Sequence, residues 1–290
     1  MTISVKKRNG DTASLDLERV HHIVEHACNG LAGVSESAVE MNSGLQFFDG
    51  IETKDIQEIL IRSANDLITL DNPNYQFVAA RLLLFALRKS VYKGHPDNHP
   101  TLKKHVKKCI DLKVYDSEIL TKYTDEEWDV LNSYIDHDRD YLFTYAGMRQ
   151  VCDKYLVQDR SNGEIFETPQ FMYIMIAATL FQDDDKFYRL DYIKKYYDAI
   201  SKHKINIPTP VMAGVRSPIR QFASCVLVDA DDTLDSIFSS DMAIGKYVAQ
   251  RAGIGINAGR IRGINAKIRG GEVQHTGVVP FLKKFESTVR

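Results

Sequence analysis

The sequence predicts a fold that is α+β in its first part and turns α/β only after residue 205. Three observations carry this. Residues 1–93 hold a short alternating pair about Asn9-Gly10 followed by four helical patterns, and residues 101–204 are helical almost throughout. Beyond 205, short apolar or glycine-broken runs flank a helix-period segment, the texture of strand–helix–strand units.

Residues 4–8 alternate weakly, Asn9-Gly10 favours a type I′ hairpin turn, and residues 12–17 return. Val20, Ile23, Val24 and Ala27 mark a first helix, stopped by Gly30. Ser35 or Ser37 caps a second, which weakens at Gly44. Thr53 reads as the N-cap of a third, through Ile56, Ile59, Leu60, Ala64 and Leu67. After Asn72-Pro73 a fourth runs from Tyr75 to about Tyr92. Hairpin and helices suffice for an independent domain, bounded by the proline-bearing break at 93–100.

In the helical stretch, Thr124 and Glu127 form a capping box ahead of Trp128, Thr168-Pro169 opens another helix, and residues 161–163 make a turn. Residues 205–211 and 222–228 read as strands, the second apolar enough to be covered on both faces. Asp232 and Thr233 offer N-caps for a helix to about Gln250, then come a glycine-broken strand over 251–259 and an Arg/Gly-rich loop. The sequence stops at Arg290 in a helical pattern. Two or three strands cannot close a barrel and leave an open edge, so either the sequence is a cut piece, or other residues of it complete the sheet, or the partner strands lie on another polypeptide.

With 37 basic and 39 acidic residues, 44% hydrophobic and 26% charged, the composition is that of a globular protein. The near-neutral balance argues against nucleic acid or anionic membrane as partner. No apolar run approaches the roughly 20 residues of a membrane helix, and the N-terminus lacks a secretory signal, so a cytoplasmic location is expected. Cys28, Cys109, Cys152 and Cys225 form no CxxC pair. His22 and His26 have metal-pair spacing but no HExxH around them, and read as a helix face; no metal site is expected. On periodicity alone Cys225 reads as a small strand hydrophobe. Arg260, Arg262 and Arg269 among glycines suit either phosphate or solvent.

Several segments together resemble one family. Residues 5–10 (Val-Lys-Lys-Arg-Asn-Gly), 48–56 (Phe-Asp-Gly-Ile-Glu-Thr-Lys-Asp-Ile) and 75–82 (Tyr-Gln-Phe-Val-Ala-Ala-Arg-Leu) resemble the ATP-cone of ribonucleotide reductases. Residues 137–140 (His-Asp-Arg-Asp), 154–157 (Lys-Tyr-Leu-Val), 208–210 (Pro-Thr-Pro), 220–228, 250–260, 268–272 (Ile-Arg-Gly-Gly-Glu) and 275–277 (His-Thr-Gly) are similar to the catalytic α subunit of class I enzymes. The resemblance implies an ATP-cone over 1–93 (β-hairpin plus four-helix bundle), a helical domain over 101–204, and over 205–290 the first elements of an incomplete ten-stranded α/β barrel.

The implied activity is reduction of ribonucleoside diphosphates to 2′-deoxyribonucleoside diphosphates by radical and dithiol chemistry. Cys225 matches one thiol of the reducing pair; Thr209, Ser224 and Gly253 match substrate-binding positions. Asp232, Thr233, Leu234, Arg262 and Arg269 match the effector pocket, with Asp232 accepting from the effector's ribose hydroxyl and the arginines holding its phosphates. Lys7, Ala13, Ser14, Leu15, Asp16, Leu17, Glu18, Arg19, Thr53 and Lys89 match the cone's ATP contacts. Some relatives carry histidine where this chain has Gln57 and Ala86.

Further implications are ATP and deoxynucleoside triphosphates as effectors, an α–α dimer, a β subunit with a metal-radical cofactor, and thioredoxin or glutaredoxin as reductant. The radical cysteine and the partner of Cys225 match no position here, so a complementary C-terminal half is expected to join the chain. A purely regulatory cone module is the alternative, but the zinc-ribbon CxxC pairs that accompany such cones are absent.

Overall fold

The computed structural model describes residues 3–7, 10–44, 46–219, 221–250 and 252–290; Arg8, Asn9, Arg220 and Arg251, used above, lie outside them. The chain forms two compact units, Met1–Ile207 with Val215–Pro218, and Pro208–Gly214 with Ile219–Arg290.

The first unit opens with strands β1 (Ser4–Lys6) and β2 (Thr12–Ser14), antiparallel with Val5 opposite Ala13. Lys6 pairs with Thr12, and the turn expected at Asn9-Gly10 includes Asn9, which lies outside the described residues. Helices α1 (Leu17–Cys28) and α2 (Glu36–Gly44) follow. Asp16 caps α1 by accepting from Arg19 N–H at 3.1 Å, and Ser35 accepts from Ala38 N–H at 3.3 Å. A third strand, β3 (Ile51–Glu52), joins β1 in parallel; two residues are too few to show a period in the sequence. It runs straight into α3 (Thr53–Asp66), so Thr53 is already helical and Glu52 stands at the N-cap without a side-chain bond, correcting the expected cap. Helix α4 (Tyr75–Tyr92) buries Val78, Leu82, Leu84 and Leu87 and packs on α1 and α3.

Helices α5 (Leu102–Asp111), α6 (Ile119–Lys122) and α7 (Asp125–Ser133) come next, with both bonds of the Thr124–Glu127 capping box formed. A 3₁₀ turn (His137–Leu142), α8 (Tyr145–Gln150) and a π turn (Val151–Tyr155) lead to a small hairpin, β4 (Gln158–Asp159) and β5 (Glu164–Ile165). Helix α9 (Pro169–Leu180) is buried on nearly every side and packs against α10 (Arg189–Ser201). Thr168 makes no capping bond; its hydroxyl lies 3.0 Å from that of Tyr92.

Two buried ion pairs tie this unit together. Arg88 on α4 donates to Asp140 at 3.0 Å, and Asp140 also accepts from Gln170 of α9 at 2.8 Å. Arg216 meets Glu167, which accepts a second bond from Tyr115. Among the described residues no helix is long and apolar enough to cross a membrane.

In the second unit, the strand expected over 205–211 does not form. Prolines at 208 and 210 suit helix entry instead, and α11 (Thr209–Gly214) begins there. Strand β6 (Cys225–Asp229) crosses through α12 (Leu234–Ala249) to β7 (Gly253–Asn257), a parallel β–α–β unit with Cys225 opposite Gly253. A hairpin of β8 (Lys267–Ile268) and β9 (Val273–Gln274) precedes α13 (Val279–Val289). The core gathers Ala230, Ile237, Ile244, Ile261 and Phe285, with Val228, Ile254 and Ile256 packed on it. Strand β6 is not covered on both faces: Val226 and Val228 are half-buried, while Cys225, Leu227 and Asp229 are exposed. Among the described residues, α12 packs on the face of these strands that carries Val228, Ile254 and Ile256.

Candidate active and nucleotide sites

Cys225 is the only exposed cysteine. Its strand places it beside Ser224, also exposed, and across from Gly253, whose N–H donates to Ser224 O at 2.9 Å. A Cβ on Gly253 would lie 3.4 Å from both Cys225 Sγ and Ser224 O. The missing side chain thus leaves the thiol uncovered on that flank. Burial pushes the other thiols up, Cys28 to about 11 and Cys109 and Cys152 to about 12. They are inert at neutral pH. Thr209, half-buried, is the first residue of α11 in the same unit.

At the other end of β6, Asp232 and Arg262 are bonded to each other. Arg262 donates its main-chain N–H to Oδ1 at 2.9 Å and Nε–H to Oδ2 at 2.7 Å. The Arg262 N–H bond, then its guanidinium, hold the Asp232 carboxyl below the usual aspartate range. Thr233 caps α12, accepting from Ser236 N–H at 3.1 Å, and Leu234 is exposed at the first helical position. Arg269 is exposed in a left-handed backbone conformation (φ 51°) at the tip of the β8–β9 hairpin.

In the first unit, a cavity of about 860 Å³ lies between the start of α1, Gln57 of α3, the end of α4 and the segment after it. Of the residues matched to ATP contacts, Asp16, Glu18, Arg19 and Lys89 line it, and Lys7, Ala13, Ser14, Leu15, Leu17 and Thr53 lie outside its lining. Gln57, singled out above, lines it too, and sequence reasoning missed His22, Ile23, His26, Phe85 and residues 93–97 as lining residues. Arg19, His22, Ile23 and His26 share one helix face at i, i+3, i+4 and i+7, a signal present in the sequence and read only as a packed or solvated face. Among the described residues no group of three His, Cys, Asp or Glu is arranged to hold a metal ion.

Comparison with known proteins matches this layout. The ATP cone domain profile matches residues 3–90, the profile "Ribonucleotide reductase, all-alpha domain" matches 141–220, and "Ribonucleotide reductase, barrel domain" matches 223–290. A cone, a helical domain and the opening of a barrel thus follow one another along the chain in the order of a ribonucleotide reductase large subunit. The chain belongs to the ribonucleotide reductase family, in the N-terminal part of its α subunit. It is 51% identical over 289 residues to ribonucleoside-diphosphate reductase subunit alpha of Haemophilus influenzae. It is 50% identical over 286 residues to ribonucleoside-diphosphate reductase 1 subunit alpha of Escherichia coli K12, and 42% over 290 residues to ribonucleoside-diphosphate reductase subunit alpha of phage T4. Each similarity covers 99–100% of this chain but only 37–38% of the relative's length.

Proposed function

We propose that this chain supplies the allosteric, helical and first barrel elements of an enzyme that reduces ribonucleoside diphosphates to 2′-deoxyribonucleoside diphosphates. The observation that carries the proposal is Cys225, an exposed thiol opened by Gly253, within 290 residues that follow the α subunits of ribonucleoside-diphosphate reductases throughout. Two thiols each give up a hydrogen, a disulfide forms, and the ribonucleotide loses its 2′-hydroxyl as water. Cys225 is one of the two. The buried Cys28, Cys109 and Cys152 are unsuited to be the other, so the second thiol and the radical-forming cysteine come from polypeptide beyond these residues. Thioredoxin or glutaredoxin returns the disulfide to thiols.

Within this reading, residues 1–93 form the cone that binds ATP, 101–204 the helical domain, and 205–290 the start of the barrel. Thr209, Ser224 and Gly253 face the substrate, offering hydroxyls and bare backbone to its ribose and phosphates. Asp232, Thr233, Leu234, Arg262 and Arg269 hold a deoxynucleoside triphosphate effector at an α–α contact made by α12. A complementary C-terminal segment covers the open face of β6 and β7, and a β subunit supplies the metal-radical cofactor. The test combines this chain with the complementary segment, a β subunit and a dithiol reductant, and measures deoxyribonucleoside diphosphate formation. Turnover that Cys225→Ser abolishes is expected; no product, or unchanged turnover in the variant, would refute the assignment.

A further inference from the structure

Among the described residues, the lining of the cavity in the first unit carries no net fixed charge. Its permanent cations, Arg19, Lys89 and Lys93, are matched one for one by carboxylates, Asp16, Glu18 and Asp97. Lys93 is also engaged by Glu164 at 2.8 Å, outside the lining. A polyphosphate brings several negative charges and is held by an excess of cationic donors. The described lining groups that can add positive charge are the imidazoles of His22, His26 and His95.

We propose that His22, His26 and His95 are phosphate-binding residues of the cone, so that nucleotide binding takes up protons and tightens as pH falls. The inference rests on the reading above that the cone binds ATP. His22 and His26 stand one turn apart on α1, and Arg19 precedes His22 by one turn, so all three present one face to the cavity. His95 approaches from the segment after α4. All three histidines are exposed and can meet a ligand directly.

The charged groups around them are few. His22 Nδ1 lies 3.3 Å from Glu25, and His95 Nδ1 lies 3.7 Å from Asp97, which Arg88 also approaches at 3.8 Å. His26 rests edge-on against Phe85 of α4, with ring centroids 5.0 Å apart. From α2, Glu36 and Glu40 act on His21 instead, Glu40 at 2.7 Å, and α3 contributes the neutral Gln57. Protonating the imidazoles adds three positive charges to the described lining. Histidine ordinarily makes that change within about pH 5–8.

Calorimetric titration of ATP into the whole chain at pH 6 and pH 8, in two buffers of different ionisation enthalpy, tests this. Binding on the order of tenfold tighter at the lower pH is expected, with net proton uptake. Protonation of the γ-phosphate removes ligand charge over the same interval, so the ligand alone drives the change the other way. The triple variant His22→Gln, His26→Gln, His95→Gln should lose the tightening, with its circular dichroism showing an intact fold. Affinity that stays flat or falls toward pH 6, or a triple variant that keeps the full dependence, would overturn the proposal while leaving ATP binding standing. No binding at either pH would overturn the cone's assignment as well.

Discussion

Asp232 holds Arg262 through both backbone and side chain, Oδ1 accepting the main-chain N–H at 2.9 Å and Oδ2 accepting Nε–H at 2.7 Å. The carboxylate therefore shapes the loop after β7 as well as pairing with a cation. Its folded-state pKa lies below the ordinary aspartate value. The pair's contribution to stability is accordingly complete above the unfolded pKa of about 3.9 and is lost as pH falls through the lower folded value. Carbon-detected NMR should show the Asp232 carboxyl titrating below that value, and Arg262→Gln should move the midpoint upward. An unmoved midpoint would mean the pairing is not formed in solution.

Labelling with iodoacetamide at about pH 8 should modify Cys225 alone in the folded chain, because thiolate is the reactive form and the other thiols are buried with raised pKa values. Mass spectrometry should find one adduct before unfolding and four after it. Early labelling at Cys109 or Cys152 would contradict the packing of the helical region.

Two glycines of β7 should respond differently. Gly253→Ala sets a methyl 3.4 Å from Cys225 Sγ and should slow alkylation of that thiol. In Gly255→Ala the new Cβ meets the end of the Leu227 side chain at 2.7 Å. Leu227 is 87% exposed and can swing aside, so stability should change by less than about 1 kcal/mol. Chemical denaturation and labelling rates separate the two effects.

Glu167→Ala should destabilise the chain by about 3–5 kcal/mol, since it removes the counter-charge of the fully buried Arg216. By contrast Glu164→Gln, which loses only the exposed pair with Lys93, should cost at most about 1 kcal/mol. Urea melts of the two variants provide the comparison, and similar losses would mean that burial does not set the worth of these pairs.

Much of the fold is legible in the sequence where elements are long and locally signalled. The Thr124–Glu127 capping box, α4 from Tyr75 to Tyr92 and the Thr233 cap of α12 each depend on residues within a turn or two of one another. Shorter elements escape: β3 has two residues and exists only because β1 lies beside it, and the apparent strand at 205–211 gives way to coil and α11. The candidate sites divide in the same way. Cys225, Asp232 and Arg262 stand out through the motifs around them. That Asp232 and Arg262 bond to each other, thirty residues apart, does not.

By itself the sequence determined the family, the order of cone, helical region and barrel opening, and the helices whose caps and apolar faces are local. Only the tertiary structure decided that Cys225 is exposed, because burial depends on which face of β6 the packing of α12 and α13 covers. It also decided that three histidines line one cavity, since α1, α4 and the segment after it meet there through long-range packing that no local pattern encodes.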